Sequence, residues 1–591
     1  MQFDVVVVLY NSAGWLRRCV AALAASRYDL SLLRLWFVDN ASKDDTVALL
    51  GQLQQAYPGF GGFTVIFNAL NEGFGRACNR GALGGEAPWL FFLNPDCEVE
   101  PDCFAEMAKG IAEKPDAGAF ECRQLPYEMD HHLDPVTLEV PWASGAAMVV
   151  RRTLFARLGG FDKNLFLYCE DVDLSWLIRA AGQPIYYLPR AVVVHRVLQR
   201  EDNTESERRE YTQTALGRLL LAYKYGGIVR GNRRYLRTLR RPQHFPGVRR
   251  MMAANYLGHF LALWPFLFWR FKHRALYHNA PAQLAGDFAP QRGRAVLETH
   301  VTNGPMISVV IRTHKRPQRL RGALQSIANQ TYTNYEIVVV EDGAPTSQQM
   351  VAEEFAHLPI RYHATGTPVG RGKAGNLGLD MAGGEYLNFL DDDDYFYPDH
   401  LELMAATAAA HPEADLVIGR AMVAQVEVLS EDPYRYAIRH IDLFRFDRVD
   451  VFTMCQTCQI PIQSAIFKKS LYQRCGGLAE DIDGYEDWAM WLRFLKVARR
   501  IDPRHVDIHR ATSMFILPAG QQDADRRADH YHKSYAGILA DPQFHYEVTL
   551  ADLRYFYDGM IADIAHLQSE GEAKLAEYLD YHGNRDAHGR T

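Results

Sequence analysis

The feature that most constrains this chain is a repeat: five short motifs occur twice, in the same order, about three hundred residues apart. The first copies are Val38-Asp39-Asn40, Gly75–Gly81, Leu93-Asn94-Pro95-Asp96, Gly159-Gly160-Phe161 and Glu170-Asp171. The second copies are Val340-Glu341-Asp342, Gly372–Gly378, Leu390–Asp394, Gly476-Gly477-Leu478 and Glu486-Asp487. Their separation stays between 297 and 317 positions, far longer than one solenoid unit. The pattern therefore predicts a duplicated domain with two related sites.

Composition limits the class of protein. The 591 residues are 48% hydrophobic and 23% charged, which is typical of globular domains large enough to bury their own cores. A net charge of −7 argues against a general nucleic-acid partner. Nine cysteines without regular spacing favour a reducing compartment, so we expect a cytoplasmic protein. Cys455 and Cys458 form a CxxC with no second pair nearby, and we interpret them as structural thiols.

Neither a leader nor a membrane span is predicted. The chain passes directly from Met1-Gln2 into the apolar stretch Val5–Val8, without a basic region and cleavage site before it. The longest apolar run, 256–271, is interrupted by His259 and Pro265 and is short for a bilayer.

Each repeat begins with the same local pattern. Apolar, β-rich strands are predicted over Phe3–Leu9 and Leu33–Val38, with a helix over Trp15–Ala25 between them. The second repeat has the same order at Ile307–Ile311, Arg319–Asn329 and Tyr335–Val340. Strands that are apolar throughout indicate a parallel sheet covered by helices on both faces, and hence an α/β fold of Rossmann-like type.

Four segments are predicted along the chain. They are an α/β domain at 1–200, a helical linker at 201–300, a second α/β domain at 301–520 and a helical C-terminal appendage at 521–591. The linker has arginines between 230 and 250, followed by aromatic residues up to 271. One interpretation is peripheral contact of 230–271 with the inner face of an anionic membrane. The other is a helical spacer whose aromatic side chains pack on the two domains.

Acidic motifs follow the predicted strands at the positions where α/β sheets bind ligands, the carboxyl ends. The second repeat has four aspartates, Asp391–Asp394, directly after an apolar strand. Such a cluster is costly without a cation, and carboxylate oxygens suit Mg²⁺ or Mn²⁺ shared with phosphates. Arg371 and Lys373 supply cations for a diphosphate. Glu486-Asp487 begins a helical pattern, where the helix dipole would keep a general base ionised.

Both halves resemble the inverting family 2 glycosyltransferases of GT-A fold. In the second half the resemblance rests on Ser308–Ile311, Val340–Gly343, Phe389–Asp394 and Tyr485–Trp488. The first half is similar more particularly to bacterial rhamnosyltransferases of that family. There it rests on Asn71–Gly75, Leu93–Asp96, Ala143–Met148, Gly159–Asp162, Tyr168–Ser175 and Val194-His195.

The resemblance implies a nucleotide-sugar donor in the sheet crevice and a role for each motif. The catalytic bases would be Asp171 and Asp487. Donor-binding groups would be Asp39, Asn40, Arg76, Asn79, Asn94 and Asp96 in the first half, and Glu341, Asp342, Lys373, Asn376, Asp391 and Asp392 in the second. Ligands of Mg²⁺ or Mn²⁺ would be Asp391 and Asp393 in the second half, with Asp96 in the first. His195 and His509 are further candidate ligands, with a packed or surface histidine as the alternative.

The two copies differ at the acidic motifs. Asn94 stands where the second copy has Asp391, and Asn40 stands opposite Asp342. We therefore expect a metal at the second site and leave the first uncertain. Retention of Asp39, Asp96 and Asp171 favours an active first site over a decayed one.

The sequence thus favours a bifunctional inverting glycosyltransferase. It would take a deoxythymidine-diphosphate rhamnose-like donor at the first site and a uridine-diphosphate hexose-type donor at the second. The acceptor would be a growing surface glycan, a lipid-linked glycan or a protein. One alternative is a single active second domain with the first as an acceptor-binding scaffold. A nucleotidyltransferase is disfavoured, because no glycine- and arginine-rich loop follows the first strand of either repeat.

Overall fold

A computed structural model describes most of both repeats. The described residues are 1–129, 131–196, 204–240, 303–444, 449, 451–481, 484–498, 500–501 and 510–520, with isolated positions at 264–266, 268, 292, 300, 301, 535 and 554. The predicted appendage at 521–591 and most of the predicted linker lie outside them.

The first domain alternates strands and helices as the pattern predicted. Its elements are β1 (Phe3–Leu9), α1 (Ala13–Ala24), β2 (Leu33–Asp39), α2 (Thr46–Ala56), β3 (Gly62–Phe67), α3 (Phe74–Leu83), β4 (Trp89–Leu93), β5 (Cys97–Val99), α4 (Cys103–Glu113), β6 (Ala119–Leu125), β7 (Ala147–Arg151), α5 (Arg152–Leu158), α6 (Glu170–Ala180) and β8 (Ile185–His195). A long helix, α7 (Thr204–Arg240), follows.

One eight-stranded sheet organises this domain, in the order β3-β2-β1-β4-β7-β6-β8-β5. The first four strands of that order are parallel, as predicted. Strand β7 is antiparallel to β4, however, and β5 is antiparallel to β8. The α/β prediction is confirmed, but the sheet is mixed. The reversal has a consequence for the site, because β7 starts at the edge where β4 ends.

The second domain repeats this architecture. Its elements are β9 (Ile307–Thr313), α8 (Pro317–Ala328), β10 (Tyr335–Glu341), α9 (Gln348–Glu354), β11 (Ile360–Ala364), α10 (Arg371–Met381), β12 (Tyr386–Asp391), β13 (Tyr395–Phe396), α11 (His400–Ala410), β14 (Leu416–Ile418), β15 (Arg420–Glu431), β16 (Tyr434–Leu443), α12 (Val451–Gln456), β17 (Ala465–Lys468), α13 (Lys469–Cys475), α14 (Glu486–Val497), β18 (Arg500–Ile501) and β19 (Ala511–Pro518). The main sheet has the order β11-β10-β9-β12-β17-β14-β18, and β13-β19-β15-β16 form a second sheet.

The two domains match position by position at their amino-terminal ends. Strand β1 and helix α1 have the same lengths as β9 and α8, and the loop between strand and helix is also equally long. Within that loop Asn11 (φ 53°) and Lys315 (φ 54°) both adopt the left-handed conformation. Residues 3–24 can therefore be compared directly with residues 307–328.

The central strands are buried on both faces, which explains their continuous apolar character. Val5 and Val7 of β1 lie in one core cluster with residues of α1, whereas Val6 and Val8 lie in another with residues of α3. The same alternation holds for Val309 and Val310 of β9. Such burial is the main stabilising term of each domain.

Buried ion pairs join the two domains. Arg123 on β6 contacts Glu402 on α11 at 2.6 Å, and Arg510 contacts Glu128 at 2.6 Å. Arg190 on β8 also donates to the carbonyl oxygens of residues 328 and 330 at the end of α8. All three sheets lie within the predicted ranges 1–200 and 301–520, and the boundaries themselves stay predictions.

Helix α7 packs on the first domain beside α6. It is kinked at Gly227, where φ is 72°. Before the kink, Lys224 is buried with its ammonium 2.7 Å from both Asp162 and Asp173. Apolar residues of the two helices, including Trp176 and Leu220, form a separate core cluster. Among the described residues, none of the helices combines the length and apolar character that crossing a bilayer requires.

Candidate active sites

In each domain the acidic motifs meet at one edge of the sheet. Asp39 ends β2 and the Asn94–Asp96 turn follows β4, with β1 paired between these two strands. Glu341 and Asp391 end β10 and β12 on either side of β9 in the same way. The predicted convergence of the motifs on a crevice follows from this strand order.

The antiparallel strand β7 brings Asp171 to this edge of the first sheet. The N–H of Gly145 donates to Asp171 Oδ2 at 2.9 Å, and the N–H of Val172 donates to Oδ1 at 2.8 Å. The next residue, Ala146, accepts a hydrogen bond from the N–H of Asn94 at 2.9 Å. Two consecutive residues thus hold the predicted base beside the predicted metal motif.

Both predicted bases begin a helix after a left-handed residue, Cys169 (φ 71°) before α6 and Tyr485 (φ 61°) before α14. Burial raises the pKa of Asp171, and the Gly145 N–H partly opposes that rise. Burial, and then the charge of Glu486, raise the pKa of Asp487 to about 7. Carboxylates with raised pKa values are suited to accepting a proton near neutral pH.

Glu170 accompanies Asp171 as Glu486 accompanies Asp487. Burial and the neighbouring Asp171 raise the pKa of Glu170 well above its usual range. Glu486 instead has a cationic partner, because Arg312 Nη1 lies 2.5 Å from its Oε1. Arg312 extends from β9 and donates to Asp391 as well, at 2.8 Å from Nη2. The sequence analysis missed this arginine, although a charged residue in the apolar strand Ile307–Thr313 was a usable signal.

The described residues contain one cluster of three side chains that could hold a metal: Asp96, Cys97 and His195. His195 Nε2 lies 3.4 Å from Asp96 Oδ1, and its Nδ1 lies 3.1 Å from Gln124 Oε1. The antiparallel pairing of β5 with β8 sets Cys97 opposite His195. Carboxylate oxygen and imidazole nitrogen fit Mn²⁺ or Mg²⁺, whereas the Cys97 thiol is a soft ligand and points at the Ala146 carbonyl.

The four aspartates of the second domain already have partners within the protein. Asp391 pairs with Arg312, and Asp392 accepts from the Thr313 hydroxyl at 2.7 Å. Asp393 lies 2.9 Å from Arg316 and 3.3 Å from Arg319. Asp394 accepts the N–H of residue 516, and burial raises its pKa well above the usual range. This acidic motif is therefore largely neutralised by groups of the chain itself.

His509 lies outside the described residues, and sheet register makes another residue the equivalent of His195. Strand β13 pairs with β19 so that Tyr395 faces Met514. The same antiparallel register sets Asp394, the counterpart of Cys97, opposite Phe515. The position that holds His195 in the first domain is thus occupied by phenylalanine in the second. A ligand role for His509 itself stays a prediction.

Asn79 and Asn376 are in packing positions that the sequence analysis did not foresee. Asn79 donates to the Phe161 carbonyl at 2.8 Å and accepts the Phe161 N–H at 2.9 Å. Asn376 makes the same two bonds to Leu478, at 3.0 and 2.8 Å. Each amide holds its α3 or α10 helix to the Gly-Gly turn of its own repeat. We interpret these amides as packing groups, and donor binding by the two residues stays a prediction.

The predicted donor-binding residues at the ends of β2 and β10 divide into two groups. Glu341 accepts from Thr346, Ser347 and Tyr362, so its carboxylate is satisfied internally. Asp342 accepts the N–H groups of residues 369 and 370 at 2.6 and 3.0 Å. Asn40 donates to the carbonyl of Gly73 at 3.2 Å, which is the equivalent turn. Asp342 and Asn40 thus support the loops before α10 and α3, Glu341 is held by residues 346, 347 and 362, and donor binding by all three stays a prediction.

Asp39 and the basic residues remain open to a ligand. Asp39 Oδ2 accepts the N–H of residue 42 at 3.2 Å, while its buried Oδ1 has no hydrogen-bond partner among the described residues. Arg76 is exposed and donates from Nε to the Lys163 carbonyl at 2.7 Å. Lys373 is exposed at the start of α10, and Asn94 is partly exposed.

Comparison with known proteins agrees with this geometry. The model of glycosyl transferase family 2 matches residues 4–168 and again residues 308–469. The chain belongs to glycosyl transferase family 2. The predicted enzyme class and the tandem arrangement are confirmed, and the nucleotidyltransferase alternative is excluded.

Relatives of this glycosyltransferase include an N-acetylglucosaminyl-diphospho-decaprenol L-rhamnosyltransferase of Mycobacterium tuberculosis. It is 28% identical over 239 residues, which cover 32% of this chain and 75% of the relative. The uncharacterised glycosyltransferase YwdF of Bacillus subtilis is 31% identical over 191 residues, covering 32% of this chain and 68% of YwdF. A mannosyltransferase of Pyrobaculum calidifontis, solved with GDP-Man and Mn²⁺, is 19% identical with a TM-score of 0.33, covering 48% of this chain and 86% of that structure.

Proposed function

We propose that each domain transfers a sugar from a nucleoside-diphosphate donor to an acceptor hydroxyl with inversion at the anomeric carbon. The observation that carries the proposal is in the first domain. There Gly145 and Ala146 hold Asp171 beside the Asn94 backbone, while His195 faces Asp96. A general base, a metal-type pair and a strand-end carboxylate thus share one edge of the sheet.

The reaction needs one proton acceptor and an outlet for negative charge. Asp171 takes the proton of the acceptor hydroxyl, whose oxygen forms a bond to the anomeric carbon. On the opposite face the bond between that carbon and the diphosphate oxygen breaks, and the diphosphate leaves with the electron pair. Asp487 has the same role in the second domain, where its pKa of about 7 suits proton transfer.

Asp96 and His195 are the residues that would hold Mg²⁺ or Mn²⁺ in the first domain. Such an ion would supply positive charge for the departing diphosphate. Gln124 accepts from Nδ1 of His195, which leaves Nε2 as the nitrogen directed at Asp96. Asp39 Oδ1 is a buried acceptor, which suits the imide N–H of a thymine or uracil base.

Two different donors are the specific part of the proposal. The similarity to an L-rhamnosyltransferase supports a deoxythymidine-diphosphate rhamnose-like donor for the first site. For the second we propose a uridine-diphosphate hexose-type donor. The acceptor is a growing surface glycan, a lipid-linked glycan or a protein. The rival proposal, in which only the second domain is active, is weakened by the retention of Asp39, Asp96 and Asp171 at one edge of the first sheet.

A lipid-linked acceptor fits the exposed face of α7. Val229, Arg233 and Leu236 lie on one side of this helix by their spacing, and all three are exposed. Arg230 and Arg237 flank them, and residues 211–240 contain no acidic side chain. Basic and apolar side chains on one helix face suit an anionic membrane surface. This face includes residues 230–240 of the predicted contact region 230–271, and 241–263 lie outside the described residues.

The experiment that tests the proposal replaces the two predicted bases one at a time. Asp171→Asn and Asp487→Asn are made in the full chain, and transfer from a panel of nucleotide sugars is followed for each. Loss of a base is expected to lower transfer from one donor by about 10²–10⁴-fold and leave the other donor's transfer intact. Asp102→Asn, on an exposed carboxylate, serves as the matched control. Equal transfer from every donor in all three variants would show the base assignments to be wrong.

A further inference from the structure

In the second domain the acidic motif has a carboxylate and a neighbouring arginine at positions that are uncharged in the first domain. Arg312 donates to Asp391 Oδ1 from Nε at 3.0 Å and from Nη2 at 2.8 Å. Strands β1 and β4 pair in the same register as β9 and β12, so their equivalents are Val8 and Asn94. An ion pair in one domain thus stands where the other has two uncharged side chains.

Two more arginines contact the motif. Arg316 and Arg319, at the start of α8, reach Asp393 at 2.9 and 3.3 Å, and Arg316 also donates to Asp392 at 3.1 Å. Because residues 3–24 match residues 307–328 without a gap, the equivalents of these arginines are Ser12 and Trp15. The second domain therefore has two further cations beside the motif, at positions that are uncharged in the first domain.

The nitrogen ligand of the first domain has no counterpart at the same register position. His195 lies opposite Cys97 on β5, and Phe515 is set opposite Asp394 by the pairing of β13 with β19. A phenylalanine ring offers no electron pair to a cation. At this register the described part of the second domain thus offers no imidazole, and the carboxylates of its motif already have partners within the chain.

A divalent cation at Asp391 would have to displace Arg312. Arg312 is buried and pairs both with Asp391, whose side chain is 31% accessible, and with the buried Glu486. Removing one partner from such a pair leaves an uncompensated buried charge, which is strongly unfavourable. Guanidinium groups, in contrast, bind phosphate oxygens directly in a forked geometry.

We propose that the described residues contain a single divalent-cation site, at Asp96 and His195, and that arginine side chains replace the cation in the second domain. Arg316 and Arg371 have partly exposed guanidinium groups, with 42% and 55% of their side chains accessible, and would face the donor diphosphate. The part that concerns the donor rests on the proposed function, whereas the number of cation sites does not.

Titration of the full chain with Mn²⁺, followed by electron paramagnetic resonance of the free ion, counts the sites. One Mn²⁺ per chain is expected. Asp96→Asn and Asp393→Asn form a matched pair, since the two residues are equivalent by register. The first change is expected to weaken Mn²⁺ binding at least about tenfold, and the second to leave it unchanged.

A count of zero or two ions, or loss of the ion in Asp393→Asn, would overturn the proposal. A second readout uses chelation in the base variants. With EDTA, transfer by the first site in Asp487→Asn is expected to stop, and transfer by the second site in Asp171→Asn to continue. If EDTA stopped transfer by the second site, arginine side chains could not be replacing the cation there. Absence of transfer from every donor would refute the proposed function, yet the Mn²⁺ count would still decide the number of sites.

Discussion

His195 and Gln124 contact each other between β8 and β6, with Nδ1 of the imidazole 3.1 Å from the side-chain oxygen of the glutamine. The opposite ring nitrogen lies 3.4 Å from Asp96. Gln124 is buried and has no other evident reason to be polar at this position. We interpret it as the residue that orients His195.

Gln124→Leu tests this orientation. Removing the acceptor frees the imidazole to rotate or change tautomer, so Mn²⁺ affinity is expected to fall about 10–100-fold, measured by calorimetric titration. Gln124→Glu keeps an oxygen at the same place and is expected to retain most of the affinity. Identical Mn²⁺ affinity in Gln124→Leu and the parent chain would remove this role from Gln124.

The hydrogen bonds of Asn79 and Asn376 predict that replacing either residue lowers the stability of the protein without changing its affinity for the donor. Asn79→Ala and Asn376→Ala each remove two hydrogen bonds to a Gly-Gly turn, at a cost of about 1–3 kcal/mol in the free energy of unfolding. Urea unfolding measures the loss, with the exposed Asn303→Ala as control. Donor affinity of the folded variants should stay unchanged. A selective loss of donor affinity would restore these residues to the donor site.

The pKa of Asp487 predicts the pH dependence of the second site. Only the ionised carboxylate accepts a proton, and its pKa is raised to about 7, so transfer in an Asp171→Asn background should rise with pH around neutrality. Glu486 is the largest cause after burial, and Glu486→Gln should therefore move the midpoint to lower pH. Rates that do not change across the neutral range would disqualify Asp487 as the base.

Helix α7 predicts binding to anionic vesicles. Arg230→Glu, Arg233→Glu and Arg237→Glu together should abolish flotation with phosphatidylserine-containing liposomes, because each arginine near such a surface contributes about 1 kcal/mol. Neutral phosphatidylcholine liposomes and the exposed Arg435→Glu variant are the controls. Equal flotation of the triple variant and the parent chain would rule out this face as the contact.

Lys224 predicts that α7 is an integral part of the first domain. Lys224→Met leaves Asp162 and Asp173 without their cation at a buried site and should cost about 3–5 kcal/mol in the free energy of unfolding. The exposed Lys163→Met should change it by less than about 0.5 kcal/mol. Unfolding curves that coincide for the two variants would mean that α7 is docked by its apolar contacts alone.

The fold class and the position of the site could be predicted from local patterns in the sequence. Continuous apolar strands, turn residues and Glu-Asp helix starts predicted the α/β class, the duplication and the edge on which Asp39, Asp96 and Asp171 meet. These features depend on neighbours in the chain, so they can be read from it. The predicted strand ends at Val38 and Val340 were each one residue short, because Asp39 and Glu341 still pair with the adjacent strand.

The hydrogen-bond and ion-pair partners of the polar side chains could not be predicted in the same way. Asn79 and Asn376 have the residue type and spacing of ligand-binding groups, yet backbone atoms 82 and 102 positions away occupy their amides. The four aspartates suggested a metal because the sequence alone does not show their arginine partners. These arginines lie 74–79 positions earlier in the chain, where the sequence predicted a strand, a loop and a helix.

By itself the sequence determined that this protein has two related α/β domains with strand-end carboxylates, since periodicity and motif order are properties of the chain alone. Only the tertiary structure decided which side chains each of those carboxylates meets. Register across β5 and β8 places His195 beside Asp96, and the contact of β9 with β12 joins Arg312 to Asp391. The charge of a site depends on all the side chains that lie close together in the folded protein. Most of these side chains are far apart in the sequence.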